Sequence, residues 1–341
     1  MYHYKIGIPV SEHDDFVKQN ALINILQTSA WQEVKSDWQH ERLGIYKEET
    51  LVAVASILIK SLPLGYKIFY ISRGPILDYK DTNLLEFVLQ SIKSYAHSKR
   101  AVFVMFDPSI CISQSLIGQE KIEYPENLAI IDSLKNLGVK WSGLTNDMGD
   151  TIQPRVQAKI YKDYFGEDAL SKSTKQAIRT ARNKGIEVQV GGLELLDFFS
   201  ALMKKTEQRK DIHLRNQDYY RKLLDNFKDH SYITLATLDL SKRSQELALQ
   251  LEKNKSKLER FTDSTKPSKV QEHLKEKERI EEELAFLQEY IDRGYTKAPL
   301  SATLVVEFGH SSVNLYAGMD DDFRRYNAPI LTWYETARYA F

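Results

Sequence analysis

The sequence has very little of what marks an exported or membrane-spanning protein. It contains one cysteine in 341 residues, and its 47 basic residues balance 47 acidic ones. Cys111 has no second cysteine for a disulfide within the chain, which fits a reducing cytoplasm. The longest apolar run, 51–59, is under half of the about 20 residues that a membrane-spanning helix needs. The N-terminus also lacks the basic and apolar regions of a signal peptide. We therefore expect a cytoplasmic protein that meets a membrane only at its surface.

Familiar catalytic motifs are missing as well. No P-loop, no GxGxxG after a strand, no HExxH and no paired CxxC occurs. The acidic run 320–322 is interpreted as a helix cap rather than a metal site, because adjacent side chains diverge. Cys111 is interpreted as a core residue rather than a nucleophile. The sequence thus predicts neither a metal nor a cofactor.

Strand-like and helix-like segments alternate along the chain, which is typical of an α/β protein. From residue 150 onward a similar pattern returns, and this indicates one α/β fold used twice, with a first domain at 1–150 and a second at 151–240 and 293–341. The predicted strands are 43–46, 51–59, 66–71, 102–106, 139–141, 151–160, 186–190, 232–238, 301–307 and 313–318, and the predicted helices are 14–19, 30–36, 83–98, 132–137 and one from 328 onward.

The segment 241–292 has a different character from the rest of the second domain. Its leucines and isoleucines recur at heptad spacing in two runs, separated by the polar connection 262–269. This predicts an antiparallel coiled-coil hairpin inserted into the domain, with Ser268 and Gln271 as a capping box for its second helix. A spacer or dimerisation arm is the alternative interpretation.

Basic residues concentrate in two places, although the chain as a whole is neutral. One is the distal half of the hairpin, and the other is 155–184, where spacing puts basic side chains on one face of a helix. Local patches of this kind suit a polyanion, either nucleic acid or an anionic membrane surface. A solvated helix face explains them equally simply. The residues predicted to contact tRNA or an anionic surface are Lys175, Arg179, Arg182, Lys253, Lys255, Lys257 and Lys266.

A few polar and aromatic residues stand at the ends of predicted strands and in loops. Asp107 follows the strand 102–106 and precedes a proline, so it is a candidate base or simply the first residue of a turn. Lys35 follows a tryptophan on a predicted helix, and Arg215 stands close to Tyr219. Spacing alone leaves Lys35 as a solvated lysine and Arg215 as a surface ion-pair donor. Tyr316 closes a strand.

Several stretches in fixed order carry a family resemblance over nearly the whole chain. They are NILQTSAWQEVK, YISRGPIL, VFVMFDPSI, KSTKQAIRTARNKGIEV, TEQRKDIHLRNQDYY and VNLYAGMDDDFRRYNAPILTWYETARYA. Together they resemble the Fem-type aminoacyltransferases (FemABX). The resemblance implies two acetyltransferase-like (GNAT) domains with a coiled-coil arm. It also implies a second domain that is incomplete at its C-terminus, because the family continues past the position of Phe341.

The resemblance further implies an activity and its partners. An alanyl or seryl group would pass from aminoacyl-tRNA to the stem-peptide lysine amine of lipid II, at the inner face of the plasma membrane. Lys35 and Arg215 would hold the diphosphate of the precursor, Tyr219 and Tyr316 would line the peptide channel, and Asp107 would be the base. Trp31 and Trp38 would neighbour the lipid II site. No stable protein partner is implied.

Two rival functions remain open from the sequence. The first is a GNAT-fold N-acyltransferase with a small thioester donor, and the second is a non-catalytic tRNA-binding protein. An acetyl-CoA enzyme would carry [QR]xxGx[GA], and the segments 182–187 and 189–194 both fail at the last position. This disfavours coenzyme A, whereas an aminoacyl-tRNA ester is already activated and needs no nucleotide-binding loop.

Overall fold

The computed structural model describes residues 1–145 and 147–341, and it divides them into two compact units. The first comprises Met1–Lys159, Lys222–His230 and Val306–Val313, and the second comprises Ile160–Arg221, Ser231–Val305 and Asn314–Phe341. Both units combine a sheet with helices. The predicted α/β class is therefore confirmed.

The first unit is built on a five-stranded sheet in sequential order. Its strands are β1 (Tyr2–Ile6), β2 (Gln39–Lys47), β3 (Thr50–Ser61), β4 (Lys67–Ile71) and β5 (Ala101–Phe106). The first four strands are antiparallel neighbours, whereas β4 and β5 run parallel. A parallel pair needs a crossover connection, and α3 (Thr82–Ser98) provides it by packing its apolar stripe of Leu84, Leu85, Val88 and Ile92 on the sheet.

Shorter elements complete the first unit. Helices α1 (Val10–Gln19) and α2 (Ser29–Val34) precede β2, and the small strands β6 (Ser113–Gln114) and β7 (Ile122–Glu123) precede α4 (Pro125–Asn136). Helix α2 begins where the Thr28 side chain accepts a hydrogen bond from the Trp31 backbone N–H.

The second unit contains a four-stranded sheet in the order β11-β10-β9-β8. These strands are β8 (Ile186–Gly191), β9 (Ser231–Asp239), β10 (Lys297–Phe308) and β11 (Ser311–Met319), and its helices include α5 (Lys172–Asn183), α6 (Leu196–Lys210), α7 (Gln217–Phe227) and α10 (Ala328–Ala340). Two short segments are grouped with the first unit instead. They are 222–230, which covers the second half of α7 and the residues after it, and 306–313, around the β10–β11 turn.

The predicted helical hairpin is present as α8 (Leu240–Glu259) and α9 (Pro267–Asp292). The helices are antiparallel, because Arg243 bonds to Glu283 near one end while Asn254 faces His273 near the other. Arg243 and Glu283 are almost fully buried, with Nε and Nη2 donating to Oε1 at 2.9 and 2.8 Å. The predicted capping box is wrong, since α9 begins at Pro267 without a side-chain cap and Ser268 lies inside the helix.

Three other local predictions are wrong. The segments 139–141 and 151–160 form no strand, and the second contains Pro154 and leaves Val156 80% exposed, so its β-branched residues have no sheet to join. Cys111 is exposed rather than part of the core.

The cap at Asp320 is confirmed, because its carboxylate accepts a hydrogen bond from the Asp322 N–H. Among the residues described, no helix is both long enough and apolar enough to cross a membrane.

Candidate functional site

Three of the predicted site residues meet in the second unit. The guanidinium carbon of Arg215 lies 5.0 Å from the centroid of the Tyr219 ring. Tyr219 meets Tyr316 edge to face, with 6.3 Å between ring centroids. Tyr219 belongs to α7 and Tyr316 to β11, so tertiary packing joins residues that are far apart in the chain. We call Arg215, Tyr219, Tyr220 and Tyr316 the tyrosine cluster.

Tyr220 is the buried centre of this cluster, and sequence reasoning missed it. Its ring centroid is 5.1 Å from that of Tyr316 and 5.0 Å from that of Phe199, and its side chain is 1% exposed. Burial, followed by the charges of neighbouring groups, raises the pKa of its hydroxyl. The helical spacing of Tyr220 with Leu223, Leu224 and Phe227 was the available signal for a buried position.

Asn314 is a second residue that sequence reasoning missed. It precedes Tyr316 by two positions on β11, so the two side chains leave the same face of the strand. Both amide atoms of Asn314 are buried, and neither has a hydrogen-bond partner among the described residues. An unpaired buried amide costs free energy, so Asn314 is a polar position that the described residues leave unsatisfied.

In the first unit, Asp107 lies directly after β5, and both of its carboxylate oxygens are occupied. Oδ1 accepts a hydrogen bond of 2.7 Å from the Arg73 backbone N–H, and Oδ2 accepts one of 2.9 Å from the Tyr70 hydroxyl. Burial raises the pKa of Asp107, although the bonds from Arg73 and Tyr70 oppose that shift. A raised pKa makes a carboxylate a better proton acceptor at neutral pH. The two hydrogen bonds also give Asp107 a structural role, because they tie the end of β5 to β4 and to the segment after it.

The segment after β4 is fixed by a buried glutamine. Gln27 donates from Nε2 to the Ser72 carbonyl at 2.6 Å and accepts at Oε1 from the Ser56 N–H at 2.9 Å. A Cβ on Gly74 would lie 2.5 Å from the Gln27 side-chain carbon, so the close approach requires glycine. Arg73 adopts a left-handed φ of 55° and donates from Nη2 to the Pro154 carbonyl at 2.6 Å. These contacts make the surroundings of Asp107 rigid.

The remaining predicted residues of the lipid II site also lie in the first unit. Trp31 is buried on α2, and Lys35 ends that helix with Nζ 5.0 Å from the Trp31 ring centroid. Trp38 is half-buried and carries Lys60 Nζ 5.5 Å from its ring centroid. Lys35 and Arg215 belong to different units, and a single diphosphate site for both stays a prediction.

The predicted basic patches differ in how strongly they are engaged. On α5, Ile178 and Ala181 are buried while Arg179 is exposed, as the helical spacing predicts. Arg182 donates to Glu335 at 2.9 Å and to Glu167 at 3.4 Å, so a polyanion would have to compete with two carboxylates. On the hairpin, Lys255 lies 3.5 Å from Glu252, and Lys253, Lys257 and Lys266 are exposed.

Comparison with known proteins relates the chain to transferases. The crystal structure of FemX matches 99% of this chain and 85% of its own, with a TM-score of 0.70 and 22% identity, which shows a shared fold. A lipid II:glycine glycyltransferase of Staphylococcus aureus strain MRSA252 is 26% identical over 94% of this chain and 77% of its own length. A protein of the same name from Staphylococcus epidermidis strain RP62A is 25% identical over 98% of this chain and 81% of its own length.

The family itself follows from a match over most of the chain. The model of the FemAB family matches residues 8–341. The chain belongs to the FemAB family, and the predicted enzyme class, an aminoacyltransferase, is confirmed.

Proposed function

We propose that this protein transfers an aminoacyl group from aminoacyl-tRNA to the side-chain amine of the stem-peptide lysine of lipid II, building peptidoglycan cross-bridges. One observation carries the proposal: Arg215, Tyr219 and Tyr316, which the resemblance assigns to precursor binding, meet in one cluster. The names of the relatives support the acceptor, since they are lipid II:glycine glycyltransferases.

The chemistry of the tyrosine cluster suits a precursor that carries both a diphosphate and a peptide. The Arg215 guanidinium is exposed, and its planar fork of donors can bind two phosphate oxygens at once. Tyr219 and Tyr316 offer ring faces and hydroxyls for a peptide chain. Asn314 adds a donor and an acceptor that the protein leaves unpaired, which is what a peptide backbone needs. The resemblance assigns a second cation for the diphosphate to Lys35, which stacks on Trp31.

Proton removal from the acceptor is part of the reaction. The lysine amine has a pKa near 10.4, so only about one amine in 2,500 is neutral at pH 7. The neutral nitrogen forms a bond to the ester carbonyl carbon of aminoacyl-tRNA, the carbonyl–oxygen bond to the ribose breaks, and the ribose hydroxyl leaves with a proton. The amine proton passes to Asp107, to another group of the substrates or to water. Positioning of two large, anchored substrates contributes the greater part of the acceleration.

The donor and the location complete the proposal. The resemblance favours alanyl- or seryl-tRNA, whereas the relatives are named for glycine. The basic hairpin residues Lys253, Lys257 and Lys266 would contact the tRNA backbone, with Lys175 and Arg179 serving tRNA or an anionic membrane. Because lipid II lies in a bilayer, the enzyme works at the cytoplasmic face of the membrane as a peripheral protein.

One incubation tests the proposal and both rivals. The protein is mixed with lipid II and glycyl-, alanyl- or seryl-tRNA, and separately with acetyl-CoA, and the mass of lipid II is followed. A mass gain of one amino-acid residue with charged tRNA supports the proposal and identifies the donor. Transfer from acetyl-CoA alone would favour the thioester enzyme. Tight tRNA binding without transfer to lipid II would favour the non-catalytic alternative.

A further inference from the structure

The connection between β3 and β4 presents an unusually exposed apolar tip. It comprises Leu62–Tyr66, in which the Leu64 side chain is 83% exposed and the Tyr66 side chain 41%. The Leu62 N–H donates to the Tyr66 carbonyl at 2.8 Å, and the Tyr66 N–H donates to the Pro63 carbonyl at 3.4 Å. The turn is therefore closed on itself and holds the Leu64 side chain out in water.

Leucine is an unfavourable choice for this position in a water-facing turn. Leu64 has a left-handed φ of 62°, which asparagine and glycine adopt far more readily than leucine. The side chain also gains no burial within the protein. A residue that is unfavourable for both backbone and solvation is explained when something apolar covers it in the working protein.

Basic residues flank the tip on β3, on β4 and at the end of α3. The guanidinium carbon of Arg100 lies 4.9 Å from the Tyr66 ring centroid, and the Lys67 N–H donates to the Arg100 carbonyl at 3.2 Å, which brings the end of α3 beside the turn. Lys60 is exposed at the end of β3, and Lys99 precedes Arg100. The acidic residue Glu41 lines the same shallow depression as Lys67 and Lys99, but it bonds to Tyr95, whose pKa burial and this carboxylate raise to about 12.

An apolar tip flanked by cations has the chemistry of a membrane-surface contact. Leucine and tyrosine enter the headgroup layer, and lysine and arginine bind anionic lipids while their stems cover apolar surface. Ile117 in the same unit is even more exposed than Leu64, but the charged residues that follow it are two glutamates, Glu120 and Glu123, and one lysine, Lys121, which pairs with Glu123 at 2.8 Å. Among these described residues, no unpaired cation flanks Ile117 to bind an anionic surface.

The tip is also linked to the predicted lipid II site. Lys60, which flanks the turn, lies over the Trp38 ring, and the resemblance puts Trp38 beside lipid II. We propose that the Leu62–Tyr66 turn, with Lys60, Lys67, Lys99 and Arg100, is the surface by which this protein docks on an anionic lipid bilayer. The inference rests on the proposed function, because a lipid-anchored acceptor requires the enzyme to reach the membrane.

The test is sedimentation of the full chain with phosphatidylglycerol–phosphatidylcholine vesicles that contain no lipid II, at about 0.1 M salt. Leu64→Asn suits the left-handed backbone, so it should fold as well as the parent while binding about tenfold more weakly. Lys99→Gln with Arg100→Asn should weaken binding about 25-fold, since each cation near an anionic surface contributes about a fivefold factor. The matched control Ile117→Asn should stay within about twofold, and thermal melting checks that every variant is folded.

The outcomes separate docking from catalysis. Parent-like vesicle binding by folded Leu64→Asn would overturn the docking surface. So would a Lys99/Arg100 variant that loses tRNA affinity while keeping vesicle affinity, because the cations would then serve RNA. With a water-soluble precursor that lacks the lipid, Leu64→Asn should retain full transfer activity. If the parent is inactive on every precursor but the vesicle pattern holds, the proposed function fails and the docking surface stands.

Discussion

The surroundings of Asp107 and the tyrosine cluster are both polar sites built on apolar cores, but they differ in how far the protein satisfies its own groups. Around Asp107, the two carboxylate oxygens and the buried Gln27 amide are all engaged by the protein. Beside the tyrosine cluster, the Asn314 amide has no partner among the described residues, and Arg215 is exposed. The comparison indicates that the first region holds shape, whereas the second is prepared for a ligand.

The largest effect is expected from removing the cation of the ligand-facing region. Arg215→Ala should lower kcat/KM for lipid II about a hundredfold, because a charged hydrogen bond contributes about 1.5–3 kcal/mol. Lys35→Ala should cost less, since an ammonium cannot bind two oxygens in a fixed fork. Transfer assays over a range of lipid II concentrations measure both changes.

The control for Arg215 is Arg221→Ala, which removes an exposed arginine from α7, shortly after Arg215 in the chain. It should leave kcat/KM nearly unchanged. Equal losses for the two variants would show that this part of the chain is sensitive to any charge removal, and the precursor role of Arg215 would be lost.

The rigidity of the surroundings of Asp107 is best tested at Gly74. Gly74→Ala puts a Cβ against the Gln27 side chain, and overpacking of this kind costs about 1–3 kcal/mol. We expect a loss of about 2 kcal/mol in the free energy of unfolding, measured by urea titration. Gly166→Ala is the control, because its φ of 168° is extended and no atom lies within 4 Å of the new Cβ. A stable Gly74→Ala variant would mean that Gln27 moves aside easily.

Elements defined by neighbours in the chain could be predicted from the sequence, whereas the contacts that define the two regions could not. The β-branched runs, the crossover helix and the heptad spacing of the hairpin depend on neighbours in the chain, and these elements were predicted well. The composition of 151–160 also favours a strand, but the segment forms none because it has no strand to pair with. The roles of Gln27 and Asn314 depend on partners, or on missing partners, that only the folded chain defines. Their residue types carry no such signal.

Asp107 tests whether the rigid region also performs chemistry. Asp107→Asn keeps an oxygen for the Arg73 N–H but cannot take a proton at neutral pH. We expect transfer to fall about tenfold, because both oxygens of Asp107 are already occupied. A loss above about a hundredfold, together with a changed pH–rate profile, would instead assign Asp107 as the general base.

Asp107 also gives the stability of the parent protein a defined pH dependence. Burial raises the pKa of Asp107 in the folded protein, so between its ordinary and its raised pKa the folded state holds more protons than the unfolded state. This contribution is fully present below the unfolded pKa and is lost as pH rises through the folded pKa. Asp107→Asn should remove that slope, and urea titrations across acidic pH would detect the difference.

The smallest expected effect belongs to Asn314, and its sign is diagnostic. Leucine has the same branched arrangement of side-chain heavy atoms as asparagine but no polar atoms, and relieving an unpaired buried amide is worth about 1 kcal/mol. Asn314→Leu should therefore raise the free energy of unfolding by about that amount while weakening lipid II binding severalfold. Asn314→Asp, which puts a charge in the same place, should destabilise the fold. Thermal melting and a binding titration give the two readouts. If Asn314→Leu instead destabilises the protein, its amide is already satisfied in solution, and the contrast between the two regions would rest on Arg215 and the tyrosines alone.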